Sequence, residues 1–488
     1  MSSSQLPLER LSTGSPAFDR ILGGGLPVRS LSMVAGEPGA GKTLFALQVL
    51  FHLGRQGKKG LYFTTLSEPS LKLIQYMQQF SFFDERLMGK EIIFADLGAV
   101  VRGQDLDAAL TAIASRVEQE EPAIVVIDSF KAMRDMLGDA PSLRTFVYDL
   151  AVHMAGWGAA SLLVGEYTDQ EIGQYAEFTI ADGILRFSTR REALTAVRIV
   201  EVLKLRGSDC VTGRHFFEIG PEGLVFFPRV RGPDADGHPS VWSSAERAPT
   251  GIAGLDKMLG GGFPRASSTV IQGATGTGKT LLGLQFLLEG ARRGEPGIHF
   301  TLEETADQLR GIAQGFGWDL REYESRGLFS FRYVSPVELS TDAFLDRARQ
   351  LVEEVGAKRA VLDSLTSMEL GVPSERRFKE LVYAMTKHFR AQLVTLNLNM
   401  DIADLLGSAQ LSGHGISFAA DNVIQLKYVE LDGRLERGIS VLKARGVRHA
   451  TDVRRMNFTE TGIEVGEPFT GLRGVLTGLP TPVEKKKR

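Results

Sequence analysis

The chain has 488 residues, of which 43% are hydrophobic and 24% charged, with a formal net charge of −3. That length exceeds one ordinary core, so two or more domains are expected, and the composition is that of a soluble globular protein. The small net charge excludes a global basic field for nucleic acid or an anionic membrane. The single cysteine, Cys210, excludes an intrachain disulfide, and no run approaches the roughly 20 apolar residues of a membrane span; a cytoplasmic protein is expected.

In chain order, "STGSPAFDRILGGGLP" from Ser12 is followed by the apolar run "LSMVAG", which reads as a strand. It leads into Gly36-x-x-x-x-Gly41-Lys42-Thr43, a complete phosphate-loop pattern, and then into the helical spacing of "TLFALQVLFHLGRQG". Such a loop needs glycines so that backbone N–H groups can wrap phosphates at a helix N-terminus, where the dipole also favours an anion. Its lysine reaches the outer phosphates and its threonine hydroxyl ligates Mg²⁺. "GLYFTTL" is a strand, followed by Ser67-Glu68; "DAALTAIASRVEQEE" is a helix. "AIVVID" is a buried strand ending in Asp128, a carboxylate placed at the sheet's carboxyl edge beside the metal. The helix "LRTFVYDLAVHMAGWG" and the strand "ASLLVGE" follow. Strands alternating with helices imply an α/β fold with a largely parallel sheet covered on both faces.

The series then repeats. "PTGIAGLDKMLGGGFP" from Pro249 restates the entry segment, and Gly273-x-x-x-x-Gly278-Lys279-Thr280 restates the loop, both at an offset of 237 (273 − 36). "AVLDS" ends in Asp363 and Ser364 as "AIVVIDS" ends in Asp128 and Ser129. A fixed register over the entry segment and the loop, with the Asp-Ser strand end following in the same order, identifies a duplication. The expected domains are 1–230, a Gly/Pro-rich linker over 231–247, a second domain over 248–465, and a loose tail over 466–488 that ends in a basic run.

The copies differ where a base for water or a hydroxyl would stand. After its strand "GIHFTL" the second copy has Glu303-Glu304, whereas the first has Ser67-Glu68. Both copies carry a Lys-x-Arg-Gly at a strand end, Lys204-x-Arg206 and Lys443-x-Arg445, a spacing that puts both cations on one face of a strand. In phosphate-loop enzymes such cations often come from a neighbouring subunit.

Together these motifs resemble the KaiC family of circadian clock proteins over the whole chain. The resemblance implies two tandem RecA-like P-loop NTPase domains assembled as a homo-hexameric double ring with ATP at subunit interfaces. It implies ATP held by Gly36, Gly39, Gly41, Lys42, Thr43 and Leu44, and by Gly273, Thr275, Gly276, Thr277, Gly278, Lys279, Thr280 and Leu281. Mg²⁺ would be held by Thr43 and Asp128, and by Thr280, Asp363 and Glu303. Lys204, Arg206, Lys443 and Arg445 would reach the γ-phosphate of the adjacent subunit. Glu68 would polarise water in the first ring, and Glu303, with Glu304 beside it, would be the general base of a second-ring serine/threonine autokinase.

The family's phosphorylated Ser-Thr pair falls on Ser417 and Phe418, so one hydroxyl is absent; Ser412 matches a third family position. The family's two-site phosphorylation cycle cannot run in its usual form; a one-site switch at Ser417 is expected, with Ser412 as a further candidate site. The tail lacks the family's longer partner-binding segment, which leaves a regulatory protein on the tail or rings as an open expectation. Two other readings stay open: a signalling ring ATPase without kinase activity, and a nucleic-acid motor. The motor predicts basic, Gly-rich pore loops and a fused DNA-binding module, and the sequence offers neither.

Overall fold

The computed structural model describes residues 8–65, 70–103, 105–137, 141–192, 195–229, 246–336, 341–372, 374–402, 419–475 and 481–482. The chain divides into two compact units, Met1–Arg229 and Val230–Arg488.

In the first unit the strands are β1 (Leu31–Gly36), β2 (Gly60–Thr64), β3 (Ile92–Asp96), β4 (Ile124–Asp128), β5 (Ala160–Glu166), β6 (Gly183–Glu192), β7 (Thr195–Leu205), β8 (Arg214–Gly220) and β9 (Gly223–Phe227). They form one sheet in the order β9-β8-β7-β6-β1-β5-β4-β2-β3. β6, β1, β5, β4, β2 and β3 run parallel, as the alternation of strands and helices requires. β7 turns back antiparallel on β6 and begins a wing that the sequence reading did not foresee.

The helices used below are α1 (Lys42–Arg55), α2 (Leu106–Glu120), α3 (Phe130–Leu137), α4 (Pro141–Trp157), α5 (Asp169–Gln174) and α6 (Ala176–Ile180). α1 is apolar nearly all round, burying Phe45, Ala46, Leu47, Val49, Leu50, Phe51 and Leu53, because sheet and wing enclose it. α2 is half-exposed and shows the narrower stripe Ala109, Ile113, Val117, after Asp105 caps its N-terminus through Ala108 N. Helices α2 and α4 build the second core on the opposite face of the sheet.

The second unit repeats this plan: β10 (Ser268–Gly273), β11 (Gly297–Thr301), β12 (Phe329–Tyr333), β13 (Arg359–Asp363), β14 (Thr395–Asp401), β15 (Asn422–Leu431), β16 (Arg434–Ala444), β17 (Arg454–Thr459) and β18 (Gly462–Pro468). Their order, β18-β17-β16-β15-β10-β14-β13-β11-β12, is the first sheet's order strand for strand. Its helices include α7 (Lys279–Arg292), α8 (Ala306–Gly315), α9 (Leu365–Leu370) and α10 (Glu375–Ala391).

Two expected boundaries shift. Arg247, placed in the linker, pairs with Pro264 in a short ladder at the start of the second unit. β18 runs to Pro468 and Leu472–Arg473 pairs with Thr481–Pro482, so the segment from 466 begins inside the sheet. In both places backbone pairing ties down residues whose Gly and Pro content alone suggests a loop.

The repeated Thr-Gly…Asp entry is a structural lock. Asp19 accepts from Thr13 N at 2.8 Å and Thr13 Oγ1 at 2.7 Å, and Asp256 accepts from Thr250 N at 2.7 Å and Thr250 Oγ1 at 2.8 Å.

Candidate nucleotide sites

Each phosphate loop leaves the carboxyl end of the strand at the centre of its sheet and opens a helix, so the two sites lie where parallel α/β sheets bind ligands. The caps of the two helices, Gly41 and Gly278, have φ of +92° and +106°. A side chain at 278 is excluded twice over, by this backbone and by a Cβ 2.7 Å from the Phe458 ring. The antiparallel wing thus forms the floor behind the loop.

In the first unit a cavity of about 650 Å³ is lined by Gly39, Gly41, Lys42, Thr43, Leu44, Asp128 and others, which brings together most of the expected ATP and Mg²⁺ residues. Thr43 Oγ1 donates to Asp128 Oδ2 at 2.7 Å, and Tyr62 OH donates to the same oxygen at 2.7 Å. Lys42 is buried and donates to the Glu37 carbonyl at 2.7 Å. Burial lowers the Lys42 pKa, against the carboxylates of Glu166, Asp128 and Glu37, which hold the proton on.

In the second unit Lys279 donates to the Gly273 and Ala274 carbonyls at 2.9 and 3.0 Å and pairs with Asp401 at 2.7 Å. Asp363 is 4% exposed, and its Oδ2 has no hydrogen-bond partner among the described residues. Burial pushes its pKa up to about 6, with Glu304 and Glu303 adding to the rise while Thr280 and Asn399 oppose it. A buried carboxylate oxygen lacking a partner, beside a threonine hydroxyl, is a donor set suited to a cation. No cluster of three His, Cys, Asp or Glu ligands occurs among the described residues, so an ion here would draw its remaining ligands from phosphate oxygens and water.

Glu303 and Glu304 follow β11 into the same space, positioned by the capping box of α8 that joins Thr305 and Gln308. Glu303 is exposed, and its Oε1 accepts from Ser364 Oγ at 2.6 Å and Ser367 Oγ at 2.5 Å. Glu304 is half-buried; burial, then the neighbouring Glu303, raises its pKa. Thr277 bonds within its own loop, to the Ala274 carbonyl at 2.7 Å. Thr275, Gly276, Thr280 and Leu281 complete the loop and first helical turn.

The Lys-x-Arg pairs lie elsewhere. Lys204 donates to the Phe178 and Thr179 carbonyls at 3.4 and 3.0 Å, and Arg206 meets Asp182 at 3.2 Å. Lys443 donates to the Ala420 carbonyl at 2.7 Å and Arg445 lies 3.8 Å from Asp421. A β-bulge falls at the same place in both sheets, opposite Ile184/Leu185 and Val423/Ile424, and interrupts strict alternation just before each lysine. Lys204 and Arg206 are not among the residues lining the first cavity, and Lys443 and Arg445 meet Ala420 and Asp421, beside Ser268 at the start of β10 and away from its loop; Arg206 and Arg445 are exposed. Glu68, Ser412, Ser417 and Phe418 lie outside the described residues.

The sequence reading missed Tyr62, Glu166 and Asp401. The two acids carried a readable signal: each stands 38 residues after the strand-end aspartate (166 − 128 and 401 − 363), at the end of the strand beside the loop.

Duplicated parallel sheets, each with a phosphate loop, a threonine and a strand-end aspartate at its carboxyl edge, define a tandem P-loop ATPase. Comparison with known proteins agrees: the KaiC ATPase family model matches residues 11–231 and again 248–469. The chain is 30% identical to the circadian clock protein KaiC3 of Synechocystis sp., over 97% of this chain and 95% of that one. It is also 30% identical to the circadian clock oscillator proteins KaiC of Picosynechococcus sp. and Thermostichus vulcanus, over 98% of this chain and 93% of each of those. The chain belongs to the KaiC family. No described helix is long and apolar enough to cross a membrane.

Proposed function

We propose that this protein is a cytoplasmic ring ATPase that also phosphorylates itself on Ser417. The observation that carries the second half is the acidic centre of the second unit, where Glu303, Glu304 and Asp363 converge on the Lys279 loop. Lys42 and Lys279 neutralise transferring phosphate, while Thr43 with Asp128 and Thr280 with Asp363 hold Mg²⁺. When bound, Mg²⁺ supplies charge neutralisation for the phosphate oxygens. Glu303, oriented by two serine hydroxyls, takes the proton from the attacking hydroxyl. Lys204, Arg206, Lys443 and Arg445 act on the site of the next subunit in a homo-hexamer, which their position outside their own loops supports. Glu68 activates water in the first site, and the chain past Pro468 offers a surface for a regulatory protein.

The test is incubation of the full chain with Mg-ATP and phosphosite mapping by mass spectrometry. Phosphate on Ser417 that disappears in Ser417→Ala, and falls at least about 10²-fold in Glu303→Gln, is the expected outcome. ATP consumed with no phosphate on the chain would replace the kinase with a ring ATPase that signals through its nucleotide state.

A further inference from the structure

The wall of the first cavity carries a cation that the second unit lacks. Lys131, in the first turn of α3 and three residues after Asp128, lines the cavity with Lys42 and Thr43. Its Nζ bonds Glu171 Oε1 and Asp135 Oδ1, each at 2.8 Å, and lies over the Tyr167 and Tyr175 rings at 5.5 and 5.2 Å. Counted from the strand-end aspartates, its counterpart is Thr366, whose hydroxyl accepts from Asp401 N at 2.9 Å. The counterpart of Asp135 is Leu370, 84% exposed. The lysine and its acidic partners are therefore particular to the first site.

Glu171 joins Lys131 to α5. It closes that helix's capping box with Thr168 and accepts from Tyr175 OH at 3.1 Å. Asp135 lines the cavity beside the lysine. A nucleoside triphosphate differs from the diphosphate by a terminal group rich in charge, which attracts a lysine ammonium more strongly than does the single charge of the half-buried Glu171 carboxylate.

We propose that Lys131 is a specificity-determining residue of the first site, exchanging Glu171 for the terminal phosphate of a bound nucleoside triphosphate. This rests on the reading of the first cavity as an ATP site. The exchange forms one ion pair and breaks another, moving no covalent bond, and it releases α5 when the triphosphate is present. The first site then distinguishes tri- from diphosphate through a contact that the second site does not make.

The test uses the full chain with the second loop silenced by Lys279→Ala and Thr280→Ala. It measures Mg²⁺-dependent affinity for the β,γ-imido analogue of ATP and for ADP. In Lys131→Thr the analogue should bind at least about tenfold more weakly, with ADP changed less than about twofold. In Glu171→Gln, which weakens the competing partner, the analogue should bind a few-fold more tightly. Equal losses for both nucleotides, or no change in either, would overturn the assignment. Should Lys131→Thr not fold, the ratio in Glu171→Gln decides alone, since a merely structural pair would not raise triphosphate affinity. If the silenced chain with Lys131 intact binds neither nucleotide, the ATP reading of the first cavity falls, and this inference with it.

Discussion

The two units share the nine strands of their main sheets and their order, yet the sheet faces beneath their phosphate-loop helices are chemically opposite. Beneath α1 lie Tyr62, Ile124, Val126, Ala160, Leu162 and Val164; beneath α7 the same places hold His299, Arg359, Val361, Thr395, Asn397 and Asn399. The helix changed in concert at one place: α1 carries Leu53 where α7 carries Gly290. A Cβ at Gly290 would stand 2.5 Å from Arg359 Cδ. One topology therefore tolerates an apolar or a polar underside, provided that volume and hydrogen bonding are repaid locally.

Arg359 gives the sharpest way to break this comparison. It is fully buried, bonds Glu295 at 2.7 and 2.8 Å, and donates to the Pro249 and Phe286 carbonyls at 2.7 and 2.9 Å. Arg359→Ile should cost about 3–5 kcal/mol, because it leaves Glu295 with only Arg265 and opens a void at Gly290. Gly290→Leu alone should destabilise by a collision. The double change, which restores the Leu53/Ile124 pair of the first unit, should recover at least half of the summed loss. Denaturant unfolding of the four proteins measures the coupling, and simple additivity would show that the two positions did not change together.

The polar underside also predicts an acid response of the second unit. Burial drives the His299 pKa down to about 3 from an ordinary 6.5, so its stabilising contribution is complete above pH 6.5 and is lost as pH falls toward 3. Asp363 is raised from 3.8 to about 6, so its contribution is complete below pH 3.8 and is lost as pH rises through 6. Between pH 4 and 6 the slopes oppose, each up to about 1.4 kcal/mol per pH unit. His299→Phe should therefore gain stability on acidification relative to the parent, and Asp363→Asn should lose it. Parallel pH profiles for the parent and both variants would remove the asymmetry.

Much of this architecture was legible in the sequence because it rests on local rules. The loops, the strands ending in Asp128 and Asp363, and the helix α2 follow from glycine positions, apolar runs and a stripe at four-residue spacing. The antiparallel wing was not legible, since β6 to β9 and β15 to β18 gain their meaning only from cross-strand pairing. The Glu303 clamp escaped for a related reason. Ser364 and Ser367 reach it from the end of the neighbouring strand, 61 and 64 residues later. The swap of Ile124 for Arg359 was visible as letters, but its compensation at Gly290 needs the packing of helix on sheet.

The smallest expected effect tests whether the difference reaches the metal. Tyr62 OH donates to Asp128 Oδ2 at 2.7 Å, sharing that oxygen with Thr43, while both ring nitrogens of its counterpart His299 are buried without a hydrogen-bond partner among the described residues. Tyr62→Phe removes one donor from a carboxylate that keeps another, so the cost should be about 1 kcal/mol in stability. The freed lone pair also makes Asp128 a better cation ligand, so Mg²⁺ dependence of first-site ATP hydrolysis should shift to lower concentration by a few-fold. A shift to higher concentration would mean that the tyrosine holds the carboxylate in its metal-binding orientation. The first site would then depend on a positioning contact that His299 does not make in the second.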